Sequence, residues 1–473
     1  MLSILVGHSY FLRFDPKQFQ RAKPYPPLAT LQVAAMLRRS GHQVALFDAM
    51  LAEGMEEYTR CLDSHAPQLL VVYEDNFNFL SKMCLGAMRE AACEMIRAAR
   101  ARGARVIVAG SDASDAPGPY LSAGADAVLA GEGLEALAQL VQRLGANPTL
   151  SREHLNAGIS GIAPAAGSKG RAPAGARGSD AIQSELPAWD LVDMERYRRA
   201  WQGAHGYFSL NMASSRGCSF RCAWCAKPIW GNRYLQREPE AVAAEMLQLK
   251  QHFAPDHIWF ADDIFGFRAD WVQAFARAAR TGGGAVPFTI QSRADLMSPG
   301  MAAALREAGC QEVWLGAESG SQRVLDAMNK GVQVAEIHTA RARLKAEGIR
   351  VGFFIQLGYL GEQLEDILAT RELIDTARPD DIGISVSYPL PGTAFYEQVK
   401  AQLGAKTHWQ DSSDLAMMFQ GTYGSDFYRT VRDLLHEQVK LQSHGAIADR
   451  EPARQQLRRS WQSLVAREGE CRT

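Results

Sequence analysis

Read for apolar and polar positions alone, residues 1–148 alternate short apolar runs with longer stretches of helical spacing. Leu2 to Val6 is apolar throughout, and PPLATLQVAAMLRR, from Pro26 to Arg39, keeps its apolar groups at helical spacing and stops at Gly41. HQVALFDA reads as a strand, and LLVVY from Leu69 as another, followed by a helix near Leu80 to Arg102. VIVAG from Val106 runs into a Pro/Gly-rich turn, then ADAVLAGEG into a helix near Leu134 to Leu144. Runs this short and continuous suit strands buried on both faces. Five such alternations predict a doubly wound, Rossmann-like parallel sheet whose ligand lies beyond the C-terminal ends of its strands.

The alternation then stops and restarts. Residues 149–205 read as a linker, because Asn156 to Ser179 is rich in Gly, Ala and Ser and has no periodic apolar face. LPAWDLVDMERYR, from Leu186, leads into a second unit, residues 206–400, with strands expected at Ser209, His257, Val286, Glu312, Val351 and Asp381. Helical stretches fall between them, so the unit is expected to be a partial (β/α)6 relative of the eight-stranded TIM barrel, with its chemistry on the loops that follow the strands. Residues 401–473 break the pattern. They hold a helix near Asp426 to Gln442 and, from Asp449, a charged stretch that reads as a solvated amphipathic helix. Between them, Trp409, Met417, Met418, Phe419 and Tyr423 are either pocket residues or ordinary packing groups.

Composition narrows the function. A formal net charge of −1 over 473 residues gives no global attraction for nucleic acid or an anionic membrane. No run of eighteen apolar residues suggests a membrane span, and MLSILVGHSYF lacks a charged leader and a cleavage site, so a cytoplasmic protein is expected. Of eight cysteines, Cys61, Cys84, Cys93, Cys310 and Cys471 show no pairing pattern, which suits a reducing compartment. The turn after the first strand, GHSYF, lacks the G-x-G-x-x-G of a nicotinamide-binding domain. His8 and His42 read as surface residues at strand ends.

The remaining cysteines, Cys218, Cys222 and Cys225, lie in CxxxCxxC spacing within SSRGCSFRCAWCAKPIWGNRY, Ser214 to Tyr234. Three thiolates on so short a loop reach three corners of a 4Fe-4S cluster and leave one iron open. A zinc knuckle would need a fourth ligand at short spacing, and His205 and Cys310 are not so placed. With Trp224 before the last cysteine, the motif resembles the CxxxCx(aromatic)C signature of the radical S-adenosylmethionine (radical SAM) enzymes. The resemblance implies that SAM occupies the open iron and that reductive cleavage yields a 5′-deoxyadenosyl radical. It also implies a small-molecule substrate and an electron donor such as flavodoxin or ferredoxin.

PPLA, IVAGSDAS and GADAVLAGEG in the first unit resemble the cobalamin-binding domain that precedes many radical SAM modules. No D-x-H-x-x-G marks a lower axial ligand, and Tyr73-Glu74-Asp75-Asn76-Phe77 stands where that family places small hydroxyl residues. The resemblance extends to the loops after the barrel strands. Ala261-Asp262-Asp263 occupies the place of the GGE-type motif that receives the SAM ammonium, with helix capping by Asp263 as the alternative. Arg293 pairs with a ligand carboxylate or with Asp295. GAESGSQRVLDAMNKG resembles a segment common in these enzymes, which implies that Glu318 and Ser319 hold ribose hydroxyls or the SAM carboxylate, while Ser321 is placed to cap the helix behind them. GYLGE is like the family's GxPGE, with Tyr359 and Leu360 in place of the usual turn residues, and YPLPGTAFYE is a family-like turn stiffened by Pro389 and Pro391.

The implied function is cobalamin-dependent radical methylation of an inert carbon. Oxidative ring formation on the same scaffold and a non-catalytic cobalamin-responsive protein are the alternatives. A methylthiotransferase would need a second cysteine set, and Cys61, Cys84 and Cys93 are dispersed.

Overall fold

The computed structural model describes residues 1–78, 86–163, 186–225, 233–403, 415–443 and 451–473. The N-terminal unit is a parallel sheet of β1 (Ser3–Gly7), β2 (Gln43–Phe47), β3 (Leu69–Tyr73), β4 (Arg105–Ala109) and β5 (Ala127–Leu129), in the order 2-1-3-4-5. Alternate side chains leave the sheet on opposite faces. Leu5, Leu70, Val72, Val106 and Val108 therefore enter one core, and Ile4, Val6, Leu69, Val71 and Ile107 the other. Helices cover both faces, Leu28–Arg39 and Leu134–Ala146 on one side and Met55–His65 and Gly86–Ala101 on the other. The strand order reverses between β1 and β3, and a crevice at such a switch point is where open α/β sheets bind ligands.

The second unit is also a parallel sheet: β6 (Ser209–Met212), then β9 (His257–Phe260), β10 (Phe288–Ser292), β11 (Cys310–Glu318), β12 (Arg350–Leu357) and β13 (Asp381–Val386), in that spatial order. Between β6 and β9 the chain forms a two-stranded antiparallel ribbon, β7 (Ser215–Gly217) with β8 (Tyr234–Gln236), which the sequence pattern did not reveal. One face of the six strands, with Leu210, Ile258, Ile290, Val313, Phe353 and Ile382, packs under the helices. The opposite face follows the register Asn211–Trp259–Thr289 and Gln291–Trp314–Gly352 and is largely polar. A closed barrel fills that face with branched apolar groups. This half-barrel does not.

Part of the expected linker is folded. Arg152–Asn156 is a helical turn, and Met194–His205 is a helix that buries Tyr197 and Trp201 against Tyr25 and the second core. Residues 164–185, most of the Gly/Ala/Ser stretch, lie outside the described residues. The C-terminal helices are Ser425–Ser443 and Glu451–Ala466. The second is not merely solvated: Trp461 is buried beneath the Arg371 guanidinium, 4.8 Å from the ring centroid, and Leu464 lies beside it in the core. Among the described residues no helix is long and apolar enough to cross a membrane.

Candidate functional site

The cysteine loop leaves the C-terminal end of β6, and its root is fixed from below. Asp262, at the end of β9, is fully buried and accepts hydrogen bonds from the Ser214 N–H at 3.0 Å, the Ser214 hydroxyl at 2.6 Å and the Ser215 hydroxyl. Burial pushes its carboxyl up to about 6, against the pull of the serine hydrogen bonds. Its carboxylate therefore anchors the loop rather than standing open to an ammonium group. Ala261 donates its N–H to the Met212 carbonyl at 2.8 Å and joins the same strand ends. Asp263 does not cap the next helix, which begins at Ala269 with Arg268 at its N-cap.

Gly217 opens the loop at φ +72°, a conformation that favours glycine, and Cys218 follows, buried. Cys222 and Cys225 are partly exposed, and a tight turn joins them, Cys225 N–H to Cys222 carbonyl at 3.2 Å. Three clamps hold this turn: Ala223 N–H to the Met328 carbonyl at 2.8 Å, Phe395 N–H to the Ala223 carbonyl at 2.9 Å, and Asn329 Nδ2 to the Arg221 carbonyl at 2.8 Å. Among the described residues no three His, Cys, Asp or Glu side chains converge on a single-ion site. A cube of four irons takes each cysteine on a separate iron, so its ligands need not converge on one point.

Around the loop stand two buried cations. Arg293, after β10, is gripped by Asp295 through Nε at 2.9 Å and Nη2 at 3.0 Å, and it donates to the Lys330 carbonyl at 2.7 Å. Its Nη1 lies 3.7 Å from Cys222 Sγ. Lys330 pairs with Glu318 at 2.7 Å, 5.9 Å from the centroid of the Trp224 ring. Glu318 holds a left-handed backbone, φ +60°, which costs a non-glycine residue on the order of 1 kcal/mol or more.

Ser319 is fully buried, its hydroxyl 3.1 Å from that of Thr370 and accepting the Ser321 N–H at 3.1 Å, so it shapes the loop from within. Ser321 makes no side-chain cap; its hydroxyl donates to Asp366 at 2.6 Å. Tyr359 is buried and stacks on Phe395, 4.7 Å between ring centroids, while Leu360 is exposed. Met417, Met418 and Phe419 pack against Tyr359 and Phe395, and Trp224 lies partly buried against this same cluster. Tyr423 is buried in the main core instead, and Trp409 lies outside the described residues.

Two basic residues that sequence reasoning left without a role matter most. Lys330 lies near the end of GAESGSQRVLDAMNKG, and Arg216 is a lone arginine ahead of the first cysteine. In the fold, Arg216 crosses to the N-terminal unit. Its guanidinium pairs with Glu132, after β5, donates to Gln32 Oε1, and lies 4.8 Å from the centroid of the Phe77 ring. A small cleft lined by Gln32, Phe77, Ala213, Ser215, Arg216 and Arg237 opens beside it. The C-terminal edge of the first sheet thus meets the root of the cysteine loop of the second.

That edge is polar and crowded. Ser9 donates its N–H and hydroxyl to the buried Glu74, the hydroxyl at 2.5 Å. His8 is not at the surface: it is buried, with Nε2 3.0 Å from Asp48 Oδ1 and 3.1 Å from the Ala49 N–H, and Nδ1 has no partner. Burial opposes a charge on this ring, but Asp48, with Glu74 and Asp75 beyond it, outweighs burial and raises its pKa. Asn76 Nδ2 is likewise buried without a partner. His42 is half-buried and accepts the Leu2 N–H at 3.2 Å.

The model of the radical SAM superfamily matches residues 212–374, from the end of β6 through most of the helix after β12. Over those residues the chain carries a radical SAM domain. An uncharacterized methyltransferase of Pyrococcus horikoshii is 28% identical over 275 residues, 58% of this chain and 57% of that protein. The hopanoid C-3 methylase of Methylococcus capsulatus is 23% identical over 399 residues, 81% of this chain and 70% of that protein. Among solved structures, the radical SAM methyltransferase TsrM of Kitasatospora setae, with cobalamin and a [4Fe-4S] cluster bound, aligns at TM-score 0.65 and 18% identity, covering 86% of this chain and 79% of that one. The fold that this chain shares with that structure therefore includes its N-terminal sheet as well as the half-barrel.

Proposed function

We propose that this protein is a cobalamin-dependent radical SAM methyltransferase that adds a methyl group to an unactivated carbon of a small molecule. One observation carries the reading: Arg216, two residues before Cys218, is paired with Glu132 at the ligand-binding edge of the N-terminal sheet. The two places where cofactors would lie are thereby held face to face. The names of the relatives, a methyltransferase and a methylase, support the choice of reaction.

The residues fit the groups this reading requires. Cys218, Cys222 and Cys225 supply three thiols with no fourth cysteine nearby, as a cluster with an open iron needs. Glu318 and Lys330 stand beside Trp224 as a matched carboxylate and ammonium for the hydroxyl and carboxylate groups of SAM. The unpartnered Asn76 Nδ2 and His8 Nδ1 suit the amide-rich rim of a corrin. Asn211 Oδ1 and Gln356 Oε1, buried without partners on the half-barrel's polar face, suit a polar substrate. When bound, the cluster with SAM supplies a one-electron route to a carbon radical, and cobalamin supplies the methyl group.

The protein's share is position and shelter. Asp262 fixes where the loop begins, and the clamps from Met328, Phe395 and Asn329 fix where its middle lies. Met417, Met418 and Phe419 cover the flank next to Trp224. A low-potential donor such as flavodoxin or ferredoxin and a cytoplasmic setting complete the proposal.

The test is anaerobic reconstitution with iron, sulfide, SAM, methylcobalamin and reductant, comparing wild type with Cys222→Ala. Wild type is expected to form 5′-deoxyadenosine and to bind the corrin, and the variant to lose the first. Candidate substrates, taken from metabolite comparison with a deletion strain, should gain one methylene in mass. Oxidation or ring closure without that gain would replace methylation, and a cluster-loaded wild type that forms no 5′-deoxyadenosine would end the enzymatic reading.

A further inference from the structure

We propose that Arg293 sets the reduction potential of the cluster by donating a hydrogen bond to the sulfur of Cys222. The inference rests on the reading that Cys222 ligates a cluster, and it adds a redox-tuning role for a residue outside the cysteine motif.

The geometry leaves the guanidinium little freedom. Nε and one Nη2 hydrogen go to Asp295, the other Nη2 hydrogen goes to the Lys330 carbonyl, and the carbon at its centre sits 3.6 Å from the centroid of the Phe220 ring. Arg293 is 5% exposed, so water does not compete for these contacts. What remains is Nη1, and it points at Cys222 Sγ from 3.7 Å, within the range of an N–H···S bond. Phe220 stands between Cys218 and Cys222 in the same loop, so the loop also carries the surface on which its own donor is stacked.

Reduction adds one electron, supplied by an external donor, and the added charge spreads onto the coordinating sulfurs. A fixed N–H dipole aimed at one of them stabilises the reduced state more than the oxidised one and raises the potential. Asp295 balances the charge of Arg293, so the effect comes mainly from the directed donor. A lysine keeps the charge but not the fork that aims it.

The experiment measures two things on full-length, anaerobically reconstituted protein: iron and sulfide content, and the midpoint potential by dye-mediated titration followed by electron paramagnetic resonance. Arg293→Lys and Arg293→Met are expected to keep the cluster and lower the potential, so that the reduced-to-oxidised ratio at a fixed poise falls about tenfold, equivalent to about 59 mV for one electron. Asp295→Asn is expected to raise it, because the guanidinium loses its counter-charge. A residue that only packs the loop would change iron content and leave the potential where it was. Equal potentials in variants of equal iron content overturn the inference. If neither Arg293 variant takes up iron, the side chain is needed to build the loop and the inference is overturned. A wild type that holds no cluster removes the inference and the proposed function together, whereas a loaded wild type with unmoved variants removes only the inference.

Discussion

Lys330 and Glu318 form a buried ion pair, Nζ to Oε1 at 2.7 Å with each side chain 6% exposed. The pair exists because Gly316 has no side chain: a Cβ there would stand 2.6 Å from Lys330 Nζ and 2.7 Å from Glu318 Oε1. Removing one partner strands the other charge in a buried site, whereas removing both does not. Lys330→Met is expected to cost about 3–5 kcal/mol, and the double variant Glu318→Gln/Lys330→Met to recover most of it. Anaerobic denaturant titration checks this. Equal stability of the single and double variants would show that the pair is not the source of the loss.

Arg216 and Glu132 couple the two sheets, at 8% and 15% side-chain exposure. Burial raises the Glu132 carboxyl, and Arg216 offsets part of that cost. Arg216→Met is expected to destabilise the protein by about 3 kcal/mol and to loosen the front sheet against the half-barrel. Limited proteolysis should then cut residues 149–205 faster. A digestion rate like that of wild type would show that the sheets are held by other contacts.

Asp262→Ala leaves the Ser214 N–H, already buried, without its acceptor, at a cost of about 1–3 kcal/mol. Because Ser214 begins the cysteine loop, the expected sign is reduced iron retention on dialysis against a chelator, alongside the lower melting temperature. Asp262→Asn, which keeps an acceptor, should retain more iron than the alanine variant. If the two variants lost iron equally, anchoring through this acceptor would be refuted.

Glu362 predicts a pH dependence. Buried beside the Tyr428 hydroxyl, with Oε2 accepting the Gly358 N–H at 2.7 Å, it is pushed by desolvation from 4.5 up to about 8. The folded state binds the proton more tightly than the unfolded chain, so stability from this group is present below pH 4.5 and is lost as pH rises to about 8. Glu362→Gln keeps the acceptor for Gly358 and removes the titration. Its stability relative to wild type should rise between pH 6 and pH 8.5, by up to on the order of 3 kcal/mol. A difference that stays flat across that range would show that the carboxyl is already charged at pH 6.

The eleven parallel strands among the described residues were legible in the sequence, because strands buried on both faces, such as LLVVY, or under a helix layer, such as VGFFIQLG, are written as apolar runs. The cysteine motif was legible because its spacing is local. The β7–β8 ribbon was not, since Ser215-Arg216-Gly217 has little intrinsic strand preference and pairs across a gap of sixteen residues. His8 was misread because the partner that lets it be buried, Asp48, comes from the end of another strand. Asp262 was assigned to a ligand because sequence gives a carboxylate's position and not which hydroxyls reach it first. The tail was read as solvated because its charges outnumber Trp461 and Leu464, although two anchors one turn apart suffice to dock a helix.

The reach of Arg216 limits how this protein can be taken apart. A hybrid that exchanged residues 1–148 for the front sheet of a relative would bring a guanidinium from the cysteine ribbon against a foreign surface unless Gln32 and Glu132 were grafted with it. The seam between the halves is thus set in part by three side chains far apart in the chain, and a workable chimera has to be designed around that triad rather than at the covalent junction.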